Sequence, residues 1–146
     1  ELDAWVDVDY LQAWEVCKGG VSGSRRKVGG MMKHTILLQL QDGAELILCV
    51  YDPARDASFT HDRARAIHTL TSHLHSQGLP VVEPLLTNKG EVCSPYIRGS
   101  TAVLHPHYPG ATGRHYVGPL PQEGDVASAK PYHAWQIEAI GEFLGR

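Results

Sequence analysis

Thr35-Ile36-Leu37-Leu38-Gln39-Leu40 and Glu45-Leu46-Ile47-Leu48-Cys49-Val50-Tyr51 are two apolar runs separated by Gln41-Asp42-Gly43-Ala44. Both runs are rich in Ile, Leu and Val, which fit a pleated surface, and Asp-Gly supplies the backbone freedom of a tight turn. The spacing predicts two antiparallel strands over residues 35–40 and 45–51, joined as a hairpin. Asp52-Pro53 ends the second strand, because proline has no N–H to give to a ladder.

Downstream of the hairpin, residues 59–77 predict a helix. Ile67, Leu70, Thr71 and Leu74 recur three and four apart and are expected to form its buried stripe. Gly78 is placed to end it in the left-handed conformation, and Pro80 prevents continuation. Residues 83–87 and 91–97 predict short strands around Asn88-Lys89-Gly90, and residues 101–107 a further apolar strand. Upstream, Tyr10, Leu11 and Trp14 predict a helix over residues 5–17, capped by Asp7 or Asp9. Residues 19–30 hold five glycines and read as a flexible loop or weak hairpin outside the core. Residues 109–130, with their glycines and prolines, read as a long connection. A second helix is expected over residues 132–144, with Ile137, Ile140 and Leu144 on one side. Strands joined by hairpins, with a helix on a face, make an α+β fold: an antiparallel sheet of about five strands with a packed helix.

Composition narrows the function classes. A chain of 146 residues that is 42% hydrophobic can bury one core, and its net charge of -3 gives no general attraction to nucleic acid or anionic lipid. The cluster Arg25-Arg26-Lys27 reads as a solvated loop. Three cysteines, an odd count without Cys-x-x-Cys spacing, argue for a reducing compartment rather than a disulfide framework. No apolar run approaches the roughly 20 residues that span a bilayer. The expectation is a cytoplasmic protein with neither nucleic-acid nor membrane partners.

The order of features from Gly29 to Gly110 resembles the amino-terminal lobe of the aminoglycoside phosphotransferase and choline kinase superfamily, closest in look to protein-kinase-like homoserine kinases. The residues that carry it are Gly29-Gly30, the run from Leu46 to Tyr51, the helix exit Gly78-Leu79-Pro80-Val81, and Tyr108-Pro109-Gly110. The run Ile140-Gly141-Glu142-Phe143-Leu144-Gly145-Arg146 adds to them. The resemblance implies a protein-kinase-like N-lobe that binds ATP with magnesium and serves phosphoryl transfer to a small-molecule hydroxyl. It implies three parts: residues 1–28 as an N-terminal helix and glycine-rich loop, 29–110 as the nucleotide-binding lobe, and 111–146 as a linker and the start of a helical lobe.

The nucleotide-binding candidates are Gly29, Gly30, Lys33, Cys49, His105 and His107. Gly29 and Gly30 would let backbone N–H groups approach phosphates, with Lys33 as a nearby cation. The strand ending at His107 would offer backbone groups to an adenine edge. The pattern also departs from the family. Kinases hold the phosphates with a third-strand cation supported by a helix glutamate, but Cys49 stands at the strand position. Ser72, counted back from Gly78, stands at the helix position. No catalytic-loop Asp with a following Asn occurs, so no residue here is a candidate general base and no magnesium ligands are assigned. Two functions remain open: the nucleotide lobe of a phosphotransferase without its catalytic lobe, or a non-catalytic pseudokinase-like interaction module. In the second, a partner protein or a second copy would cover the exposed face.

Nine histidines raise a metal reading. His61, His68 and His75 share roughly one helix face, but spacing of about 10.5 Å is too long for one ion. His105 and His107 alternate on one strand and would need a distant third ligand, so surface and hinge roles are the ordinary reading.

Overall fold

Side-chain alternation along the hairpin divides the molecule into two packed faces. The computed structural model describes residues 1–27 and 33–108. Five strands, β1 (Val21–Arg26), β2 (His34–Leu40), β3 (Glu45–Tyr51), β4 (Ser94–Pro95) and β5 (Thr101–Pro106), form one sheet. Its order is β1-β2-β3-β5-β4, and every neighbouring pair is antiparallel. Ile36 opposes Leu48 and Leu38 opposes Leu46 across the hairpin, while Leu48 opposes Leu104 on the other side. Since successive side chains point to opposite faces, these residues share one surface with Leu40, Val50 and Ala102. That surface is sealed by Leu11, Trp14 and Cys17 from the N-terminal segment and by Tyr96. On the other face Cys49, Tyr51 and Val103 pack with Ala64, Cys93 and Phe59. Here α1 (His61–Ser76) lies against the sheet.

Helix α1 has the ends its sequence demands. The Thr60 side chain accepts a hydrogen bond from the Arg63 backbone N–H, and Gly78, at φ 87°, turns the chain out of the helix. Thr60→Ala is expected to lower stability by about 1 kcal/mol, measured as a reduced urea midpoint with an unchanged denaturant slope.

Several expectations need correction. First, residues 5–17 do not form an α-helix; they make two 3₁₀ turns, Tyr10–Ala13 and Glu15–Cys17. Aspartates compete for the backbone there: Asp3 accepts from the Trp5 N–H, and Asp7 from those of Asp9 and Tyr10. The Tyr96 hydroxyl then pins the segment, accepting from the Asp7 N–H and donating to the Trp5 carbonyl. Second, residues 19–30 are not a loop throughout, since Val21–Arg26 is the edge strand β1. An edge strand has one neighbour and an open side, so glycine and serine suffice where β2 supplies the partners.

Third, the buried side of α1 is not the Ile67–Leu70–Leu74 stripe. Ile67 and Leu70 are 38% and 57% exposed, and the buried helix residues are Ala64 and His68. The sheet offers the Tyr51 hydroxyl and the His105 ring at this place, so a histidine makes the better contact. Fourth, residues 83–87 form no strand, although the Leu85 N–H donates to the Leu104 carbonyl, and residues 91–97 contribute only the two-residue β4. The expected helix over residues 132–144 lies outside the described residues.

Arg26, read as part of a solvated cluster, is instead structural. Its guanidinium forks onto both Asp3 carboxylate oxygens at 2.8 and 3.0 Å and donates to His34 Nδ1 at 2.8 Å. A guanidinium only donates, so His34 Nδ1 accepts, and Nε2–H donates to Asp52 at 3.1 Å. Trp5 stacks on the His34 ring with centroids 4.2 Å apart. This chain of contacts ties the N-terminal segment through β1 and β2 to the exit of β3.

Candidate functional site

The face of the sheet that carries α1 is only partly covered by it. Beyond the helix a cavity of about 260 Å³ opens, with β2, β3 and β5 contributing Thr35, Ile47, Cys49 and His105 to its lining. Lys33, Lys27, Val82 and the exit of β5 at His107 and Tyr108 complete most of the rest. Strand alternation places Thr35 on this face of β2, and Ile47, Cys49 and Tyr51 on this face of β3. Thr35 is paired with Cys49, and Lys33, just before β2, lies beside Tyr51.

Lys33 Nζ sits 5.6 Å from the centroid of the Tyr51 ring. The Cys49 sulfur holds the ammonium above its ordinary range; the Tyr51 oxygen acts the same way and burial acts against it. Cys49 itself is pushed up by burial, an effect that outweighs the neighbouring lysine. It is a buried thiol in this position, not a reactive thiolate. The Tyr51 hydroxyl is likewise raised, chiefly by burial. The result is a half-buried cation beside two groups that stay neutral.

Behind Tyr51 stands His68 of α1. Its Nε2 is 2.7 Å from the Tyr51 hydroxyl, and its ring centroid is 5.2 Å from that of His105. His68 is only 5% exposed and its ring is driven down to about 4 by burial, with His105 and Lys33 adding to the effect. It is neutral at ordinary pH. Its Nδ1 is buried without a hydrogen-bond partner.

The structure thus brings Lys33, Cys49, His105 and His107 to one cavity. Gly29 and Gly30 lie outside the described residues. Ser72, assigned by counting to the position facing the third strand, is replaced in that place by His68, one turn earlier. Sequence reading passed over Tyr51, His68 and Lys27. The seven-residue histidine spacing held the clue to one of these. His61 meets Thr101 Oγ1, His68 meets Tyr51 and His75 meets the Val81 carbonyl, but only His68 is buried against the sheet.

His105 and His107 are anchored separately. The His105 Nδ1–H donates to the Glu83 carbonyl at 3.2 Å, whereas His107 Nδ1 lies 3.0 Å from Glu45 Oε2. Burial lowers His105 from its ordinary value despite that carbonyl. Among the described residues, no three His, Cys, Asp or Glu side chains gather as a metal site. Nor, among those residues, is any helix long and apolar enough to cross a membrane.

No family model matches the chain, and no curated protein does. Among solved structures it is similar to amicoumacin kinase hAmiN in complex with AMP-PNP, Ca2+ and Ami. That likeness has a TM-score of 0.46 and 16% sequence identity, over 74% of this chain and 32% of the kinase. The chain spans about a third of the length of that structure.

Proposed function

We propose that this chain is the nucleotide-binding lobe of an ATP-dependent phosphotransferase that acts on a small-molecule hydroxyl. The observation that carries the reading is the placement of Lys33. Cys49 leaves the third strand without a cation, and Lys33, just before the neighbouring strand, brings its ammonium to the same part of the cavity. A fixed cation on a partly dry surface is what phosphate oxygens require.

The donor set suits the ligand. Ile47, Val82 and Cys49 provide an apolar wall for a purine ring, and Lys27 and Lys33 supply positive charge toward its phosphates. The exit of β5 at His107 and Tyr108 would meet the base edge, with Gly29 and Gly30 approaching the phosphates from the segment before Lys33. Magnesium would neutralise the phosphate charge when bound, and no residue of this chain is assigned to hold it. In this proposal the chain binds and orients nucleotide and provides no proton-transfer group.

Calorimetric titration with ATP, with and without magnesium, tests the reading. Binding is expected, and Lys33→Met should weaken it about tenfold or more, the range for a hydrogen bond to a charged group. Absence of binding at millimolar ATP would overturn the proposal. That outcome would leave the interaction-module reading, which one observation favours: Ile67 and Leu70 stand outward on α1.

A further inference from the structure

We propose that His105 reads the base of the nucleotide, its imidazole accepting a hydrogen bond from the 6-amino group of an aminopurine. This rests on the nucleotide-binding reading and deepens it by naming the base. The argument begins with the tautomer. The Glu83 carbonyl, 3.2 Å from His105 Nδ1, can only accept, so Nδ1 carries the ring proton. Burial, with the Lys33 charge adding to it, works against a second proton. Nε2 is therefore a bare acceptor. Among the described residues it has no hydrogen-bond partner, yet it is not sealed off as His68 Nδ1 is. The ring lines the cavity, so that open lone pair is what His105 offers a ligand there.

Position and polarity select what meets it. His105 pairs with Ile47 across β5 and β3, which sets the ring beside the apolar wall of the cavity. A phosphate oxygen there would face Nε2 lone pair to lone pair. A purine brings N–H donors, and adenine presents its amino group where guanine presents a carbonyl oxygen. A 6-amino group satisfies Nε2; a 6-oxo group in that place would oppose two acceptors, each stripped of water. A site built to accept from a ligand N–H discriminates against a ligand that lacks it. Because a backbone carbonyl sets the tautomer, the choice of base does not depend on a second side chain. The ribose hydroxyls are the other donors on the ligand, and an analogue that keeps them separates the two.

Calorimetric titration of ATP against purine riboside triphosphate, which lacks only the 6-amino group, tests this. The wild type is expected to prefer ATP, and His105→Leu should cut that preference about fivefold, the value of one ordinary hydrogen bond. The loss should fall on ATP and spare the analogue, whereas a packing role would weaken both alike. His105→Gln, whose amide can donate to the Glu83 carbonyl and accept at its oxygen, should keep the preference. The nitrogen resonance of His105 Nε2, assigned by its absence from His105→Gln, gives a second readout. Saturating ATP should shift it further than the analogue does.

If His105→Leu fails to fold, the resonance still decides the matter: an equal shift with both triphosphates overturns the proposal. An ATP preference that survives intact in a folded His105→Leu does the same and leaves the nucleotide reading standing. A chain that binds neither triphosphate at millimolar concentration sinks both.

Discussion

Trp14→Ala is expected to remove about 3–5 kcal/mol of unfolding free energy, the range for truncating a large buried aromatic side chain. Trp14 is 0% exposed and packs with Leu11 and Cys17 over the hairpin residues Leu38 and Leu48. Its indole N–H also donates to the Leu85 carbonyl at 3.1 Å, which fastens the extended segment beyond α1 to the same face. Truncation therefore empties the largest fully buried side-chain volume among the described residues and strands a carbonyl at once. Native domains hold only about 5–15 kcal/mol in total, so the variant should populate unfolded chains and melt roughly 15 °C or more below the parent. Trp14→Phe keeps most of the volume and is expected to cost far less. Urea unfolding followed by circular dichroism checks both, and an unmoved midpoint in Trp14→Ala would show that the N-terminal turns are not part of the cooperative unit.

The central hairpin was legible because its information is local. Two dense aliphatic runs around Asp42-Gly43 specify register without help, and β2 and β3 follow with Gly43 at φ 89°. Helix α1 was legible in extent and misread in orientation. A stripe of Ile67, Leu70 and Leu74 satisfies the helical period, yet what decides the inward side is the surface it meets, and that surface carries Tyr51 and His105. Edge strand β1 was read only as a loop or weak hairpin, for the opposite reason. Its sequence has almost no hydrophobic signal, and its order comes from pairing with Leu37, Leu38 and Gln39. The N-terminal turns were read as a helix because Tyr10, Leu11 and Trp14 have helical spacing; Asp3 and Asp7 bond to nearby N–H groups and shorten the turns.

The candidate site was legible through the family resemblance more than through spacing. That resemblance directed attention to Lys33, Cys49, His105 and His107, which do line one cavity. It did not point to His68. Counting from Gly78 reached Ser72, whereas the backbone places His68 against Tyr51. A one-turn error of this sort is natural, because a helix keeps its periodicity when its register over the sheet changes. Among the described residues a neutral pair, Tyr51 and His68, makes the contact between α1 and β3.

That neutral pair gives the second large prediction. Stability should fall on the order of 3 kcal/mol as pH drops from the ordinary histidine value of 6.5 to about 4, through His68 alone. The sign follows from proton counting. Burial keeps His68 neutral in the folded chain until about pH 4, while the unfolded chain takes up its proton near 6.5, so acid favours unfolding across that window. Tyr51, Lys33 and His105 all face the ring, and none of them offers an anion to compensate; His105, itself lowered by burial, pulls the same way. Asp52 acts in a separate, lower window. Burial pushes its carboxyl up, but the His34 and Ala54 N–H groups overcome this and leave it below 3.8. Its contribution is present above that value and is lost only as pH falls through its folded value. Thermal melts from pH 7 down to pH 3 should thus show two declines. His68→Gln should flatten the upper one, leaving the part due to His105, and spare the lower one. If the variant keeps the full wild-type slope between pH 6.5 and 4, His68 is not the group that acid attacks and the closed packing of α1 on Tyr51 is wrong.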